Sequence, residues 1–309
     1  MLTARSLHTL YASLALGVCL CAPTLGHAGV LTETGALVFG NGQGCDNDKD
    51  SSPSTGPVLS RAGISGVGEA EGAATTSLGR NSTRASAGIS VGAEPNCTVS
   101  ARGVRSCLSG KFAEGVARSV WSDTFTFASA LGSGGRQTGQ VVFRFSGQLA
   151  GAPVDPARGD ATALASIELA FDPNDVTRIG EQRLTDRARW DDGDPALSVQ
   201  RMLTLVFDFM DGDAMMFEAD LSVSAVFSSK AQLDGNGELL RVGDTGSVQA
   251  DFSHTLEFME VRLPDGYTMT AASGFNYFDQ GSAVPEPQSL ALLSVGLALM
   301  ALRTRRRLR

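Results

Sequence analysis

The chain has 309 residues, 36 of them glycine, and sets 25 Lys and Arg against 33 Asp and Glu, a formal net charge of −8. That balance offers no basic surface to meet phosphate backbones, so nucleic acid is not an expected partner. No CxxC is present, and the three histidines (His8, His27, His254) stand far apart, which argues against a Cys or His metal centre.

Residues 1–28 have the three zones of a secretory signal. Arg5 supplies the positive start and residues 10–21 the apolar zone; Gly26-His27-Ala28 places small residues at the two positions a signal peptidase reads. Cleavage by signal peptidase is expected after Ala28. A lipoprotein signal does not fit, because Val18 precedes Cys19 where a small residue is required.

Past the leader, residues 30–40 have β-rich character and are expected to form an edge strand. Asp46, Asp48 and Asp50 then alternate in a stretch expected to be a solvated acidic loop. Their spacing has the look of the first ligands of a calcium loop. However, Ser51 stands where such a loop needs Gly, and Pro57 where it needs a bidentate Glu. No cofactor is expected; Ca2+ is the alternative.

Three cysteines follow the leader: Cys45, Cys97 and Cys107. Export would put them in an oxidising compartment. Cys97 and Cys107 are the first disulfide candidates, closing a small loop, and Cys45 with Cys97 is the alternative. Either choice leaves one thiol over, which could pair between chains. Residues 58–110 are rich in Ala, Ser and Gly; their alternation suits strands, but the small side chains specify them weakly.

From residue 116 the period-two pattern strengthens. Residues 116–128 put Trp121, Phe125 and Phe127 on one parity, and residues 140–149 put Val141, Phe143 and Phe145 together. Residues 161–171 read as a further strand. Residues 174–197 are polar, charged and irregular-looking, with Trp190 among Asp and Arg residues. An exposed Trp190 could stack on a sugar ring; the competing reading tucks it back as a loop anchor. Residues 198–210 and 214–227 alternate on either side of Asp211-Gly212-Asp213, the pattern of a hairpin. Residues 248–263 and 267–278 read as a closing hairpin. No helical period of useful length occurs between residues 29 and 284. The expected fold is all-β: an antiparallel two-sheet sandwich, jelly-roll-like, at residues 29–283, with a sub-boundary near residue 110 as the competing division. A signal helix would precede it and a transmembrane helix follow.

The last 26 residues have an order of their own. Val284-Pro285-Glu286-Pro287 comes first, then residues 289–302 without a charge, then Arg303, Arg305, Arg306, Arg307 and Arg309. The prolines keep the junction extended and accessible. As a helix the apolar segment covers about 21 Å, short of the roughly 20 residues a relaxed span needs. The arginines belong on the cytoplasmic side, which leaves the preceding body outside. This order resembles the PEP-CTERM sorting signal of Gram-negative bacteria, whose core tripeptide is matched by Pro285-Glu286-Pro287. The resemblance implies recognition and processing near the motif by an exosortase, a membrane protease-transpeptidase. It also implies an inner-membrane intermediate, then a place at the envelope surface or in the extracellular matrix, and association with exopolysaccharide.

With both ends removed, 19 of the 25 basic residues and 32 of the 33 acidic ones remain, a net charge of −13 over residues 29–284. His254 is then the single histidine, and no GxSxG is present, so a Ser-His-Asp hydrolase is not expected. A glycosidase would need only two carboxylates, but none stands in a recognisable motif. The expectation is a non-catalytic, exported surface or matrix protein. The alternative is a carbohydrate- or calcium-binding jelly-roll module with an aromatic platform at Trp190 or Trp121.

Overall fold

The structure, a computed structural model, describes residues 29–277 except 41–43, 53–55, 66, 95, 100–104, 109, 131, 133–134, 153, 172–181 and 235–237. The side chains of residues 44–47, 96–99, 105–108 and 254–255 are also outside the description. The expected signal helix, the sorting motif at residues 284–287, the apolar segment and the terminal arginines all lie outside the described residues.

Among the described residues there is no helix; the regular elements are strands, paired antiparallel. In chain order they are β1 (Gly29–Gly40), β2 (Gly44–Ser52), β3 (Val58–Ile64), β4 (Gly68–Ser77), β5 (Arg80–Ile89), β6 (Asn96–Val99), β7 (Arg105–Leu108), β8 (Gly110–Ser129), β9 (Gln137–Gly151), β10 (Gly159–Phe171), β11 (Arg183–Asp191), β12 (Leu197–Phe209), β13 (Ala214–Lys230), β14 (Gln232–Leu233), β15 (Leu239–Arg241), β16 (Gly246–Arg262) and β17 (Tyr267–Ala271). One sheet runs β11-β10-β13-β8-β1-β2, with β17 also on β8; the other runs β12-β9-β16-β5-β4-β3.

The two sheets lie face to face because each strand is apolar on one parity. Along β13, Phe217, Ala219, Leu221, Val223, Ala225 and Phe227 point inward and are buried. Along β8 the inward set is Ala113, Ala117, Trp121, Phe125 and Phe127. Polar groups also cross the gap. Thr34 of β1 bonds Ser60 of β3 at 2.8 Å, and the Asn81 amide of β5 donates to the Ala219 carbonyl of β13 at 2.8 Å. Strands on both sides of residue 110 share these sheets and one core cluster.

Several expectations are corrected. β1 is not an edge: it lies between β8 and β2. The acidic stretch at Asp46, Asp48 and Asp50 is a strand, β2, and itself forms the edge. Backbone pairing to β1 outweighs the solubility of its carboxylates, which an edge strand can leave in water. The charged stretch before residue 197 contains β11, which pairs with β10 over Arg183–Asp191. Its inward positions are Ala188 and Trp190, and its arginines point out.

The largest correction concerns the two expected hairpins. β12 belongs to one sheet and β13 to the other, so Asp211-Gly212-Asp213 is an arch between sheets. Its Gly212 N–H donates to the Phe127 carbonyl, and the Phe127 N–H donates to the Asp213 carbonyl. The turn is therefore stitched to the end of β8 instead of closing a ladder between its own flanks. The connection from β16 to β17 crosses in the same way.

Candidate functional site

β8 is twenty residues long and forms the spine of its sheet. β13 covers one side of it from Gly110 to Thr126. The other side is shared by two strands. β1 begins with Gly29 opposite Ser122 and runs toward the start of β8. β17 ends with Ala271 opposite Phe125. The first described residue and the last strand thus meet along one edge, separated by Asp123 and Thr124.

Asp123 shares the inward parity of Trp121 and Phe125 and is completely buried. A carboxylate at that depth must be matched by donors. Four reach it: the Tyr277 hydroxyl at 2.9 Å, the Thr124 N–H at 2.8 Å, the Ser273 N–H at 3.2 Å and the Ser273 hydroxyl. Three of these come from the segment that follows β17. After Ala271 the chain turns, the Ala272 N–H donates to the Thr124 carbonyl, and Ser273 and Tyr277 reach Asp123, which lies between the ends of β1 and β17.

Tyr277 is buried between the sheets beside Asp123. It is 1% exposed, stacks on Trp121 at 5.7 Å between ring centroids, and meets Phe125 edge-on at 5.0 Å. Phe258 of the opposite sheet lies 4.9 Å away and Phe275 4.8 Å. Such contacts add to the area each ring removes from water. Burial and then the Asp123 carboxylate push the Tyr277 phenol above its usual pKa range, so it remains a donor. The arrangement is a plug. The final described residue is driven into the core and tied there by a charge-assisted hydrogen bond.

This lock was missed in the sequence. Its one signal was a carboxylate on the inward parity between Trp121 and Phe125. The residues singled out from the sequence stand elsewhere. Trp190 is 1% exposed, with its indole N–H donating to the Asp194 carbonyl at 2.9 Å, so it presents no face to solvent. Trp121 is likewise interior. Cys97 and Cys107 lie on β6 and β7 directly opposite one another in register. Cys45 is on β2 opposite Phe39. The Asp48 carboxylate accepts the Arg61 N–H of β3 at 2.9 Å. No group of three or more Cys, His, Asp or Glu side chains gathers for a metal ion among the described residues.

Val284 is the seventh residue after Tyr277. Residues 283–307 match the family described as the PEP-CTERM protein-sorting motif. The tail is a PEP-CTERM sorting motif. It implies an exported protein that passes through a membrane-anchored intermediate and is processed by an exosortase. No curated protein and no solved structure matches the chain.

Proposed function

We propose that this is a non-catalytic surface or matrix protein, exported behind a cleaved leader, whose PEP-CTERM tail is removed or exchanged near Val284–Pro287. Its acidic sandwich is then left at the envelope surface or in an exopolysaccharide matrix. The supporting observation is the position of the sorting motif, seven residues beyond a residue locked into the core. Seven residues reach at most about 25 Å when extended, so processing happens close to the folded body. Whatever replaces the tail inherits an anchor at Tyr277. The same edge carries Gly29, the first residue expected after leader cleavage, so both membrane-bound ends would leave the body side by side.

The opposed Cα positions of Cys97 and Cys107 suit a disulfide in an oxidising compartment. Directly paired antiparallel residues stand about 4.5–5.5 Å apart, within the span a disulfide covers. The role of signal peptidase, and of the apolar segment as a short transmembrane helix before processing, belong to the same reading.

Mass spectrometry of the protein isolated from its own host tests it. The expected ends are Gly29 and a C-terminus at or near Val284–Pro287. Recovery from the cytosol with Met1 and Arg309 both present would refute the reading. The plug has its own test. Asp123→Ala leaves four donors without their acceptor at a cost of about 3 kcal/mol. Limited proteolysis should then cut within residues 272–277 faster than in the wild-type protein.

A further inference from the structure

The outer face of the second sheet carries a groove of about 420 Å³ where β12, β9 and β16 lie side by side. The register builds its lining in rows. Ser198, Gln148 and Asp251 stand abreast on the three strands, and Gln200 stands opposite Ser146 in the next outward row. Ser253 closes the β16 side. Beside it β16 leaves its regular path: from Asp251 to Leu256 it takes five steps, while β9 takes three from Gln148 to Phe145. Those two extra residues form a bulge, a feature that re-aims side chains and is frequent beside binding sites.

The chemistry of the lining is narrow. Gln148, Gln200 and Ser198 are exposed, and their side chains make no hydrogen bond to another described residue. Each amide offers donors and an acceptor a few ångströms apart, and the hydroxyls do both. Asp251 is the one charged residue of the lining. One of its oxygens is held by the Ser253 N–H at 3.0 Å, which fixes the carboxylate and leaves the other oxygen to accept. The lining contains no cation and no aromatic ring.

The geometry points to a binding site for a neutral, polyhydroxylated polymer: an uncharged polysaccharide whose hydroxyls bridge the Gln148 and Gln200 amides and donate to Asp251. An acidic polymer is disfavoured twice, by Asp251 in the groove and by the net charge of −13 over residues 29–284. Without a stacking ring the single-site affinity is low, and useful retention comes from many copies along one polymer. This deepens the proposed surface role, and rests on it only for the protein's presence outside the cell.

The test is affinity electrophoresis of the protein isolated from its host, in native gels cast with dextran, galactomannan or hydroxyethylcellulose, and in parallel with alginate. At least one neutral polymer should retard the protein, and alginate should not. The Gln148→Ala/Gln200→Ala variant should lose that retardation at least threefold, with its thermal midpoint unchanged because both side chains are exposed. Asp251→Asn keeps an acceptor for the Ser253 N–H and should weaken binding by a smaller factor. No retardation in any neutral polymer, equal retardation in alginate, or an unaltered double variant would each overturn the assignment. None of these outcomes bears on the termini of the processed protein, so failure here is distinguishable from failure of the export reading.

Discussion

Where the first half of β8 faces β4 and β5, the inward residues are small: Ala113, Gly115, Ala117 and Ser119 on one side, Ala70, Gly72, Ala74 and Ala85 on the other. Backbones nearly touch there. A Cβ on Gly115 would overlap the carbonyl oxygens of Glu71 and Ser86, and one on Gly72 those of Val116 and Gly35. Thr76 and Ser119 hydrogen-bond across the gap. Where the second half of β8 faces β9 and β16, the filling is aromatic. Trp121 lies 5.1 Å from Phe217 and 6.3 Å from Phe143, and Phe143 lies 5.4 Å from Phe258. One strand therefore runs through a thin end and a thick end. Small side chains remove little area from water, so the thin end depends on close approach and inter-sheet hydrogen bonds. The thick end depends on filled volume. Each should fail in the opposite direction.

The thick end should be hurt most by removal. Trp121→Ala takes out a fully buried ring that touches both sheets and the Tyr277 plug, at a cost of about 3–5 kcal/mol. Urea titration reads this directly, and a shift under 1 kcal/mol would mean the rings are not packed as described. The thin end should be hurt by addition. Gly115→Val drives methyl groups into two carbonyl oxygens, at about 3 kcal/mol, the upper end of ordinary overpacking. Ala117→Gly beside it should cost only about 1 kcal/mol. If Gly115→Val unfolds at the wild-type urea midpoint, the sheets do not approach each other there.

The same contrast explains what could be read from the sequence. The expected strands at residues 116–128, 140–149, 161–171, 198–210 and 214–227 are β8, β9, β10, β12 and β13, because large alternating residues declare an inward face. Alternation does not say which strand lies alongside. Residues 198–227 satisfy it equally as a hairpin or as an arch, and the arch wins because β12 pairs with β9 while β13 pairs with β8 and β10. In the thin end even the face was faint, since Ala and Ser occur on either side of a sheet. Edge strands hid for another reason: β2 and β11 carry Asp and Arg outward, and charge density reads as loop. The Asp123 lock was illegible because its side-chain donors, Ser273 and Tyr277, lie 150 residues or more away in sequence. The sorting motif needed no partner elsewhere in the chain, and its order of parts was plain.

The smallest expected effect separates the two ends by pH. Glu114 stands on the outward parity behind the thin end, with Leu37 and Val226 as its register partners, and burial raises its pKa. Glu218 stands behind the thick end opposite Ser122; burial and then Asp220 raise its pKa, while Arg118 opposes the rise. A carboxyl whose folded pKa exceeds its unfolded value binds its proton more tightly in the fold. Its protonation adds stability as pH falls toward the ordinary glutamate range, and that gain is lost as pH rises through the folded pKa. Glu71 has the opposite sign. Burial pushes it up, but Arg61 and Arg84 outweigh this and hold it low, so its contribution is present above the ordinary value and lost below it. The thermal midpoint should therefore climb as pH is lowered toward the ordinary glutamate range and fall again below that range. Neutralising the acidic surface would also raise it, so the informative quantity is a difference. Glu114→Gln and Glu218→Gln should each flatten part of the climb, and together flatten more than either alone. Variants that climb as steeply as the wild type would assign the whole gain to net charge and leave these two carboxyls no part in it.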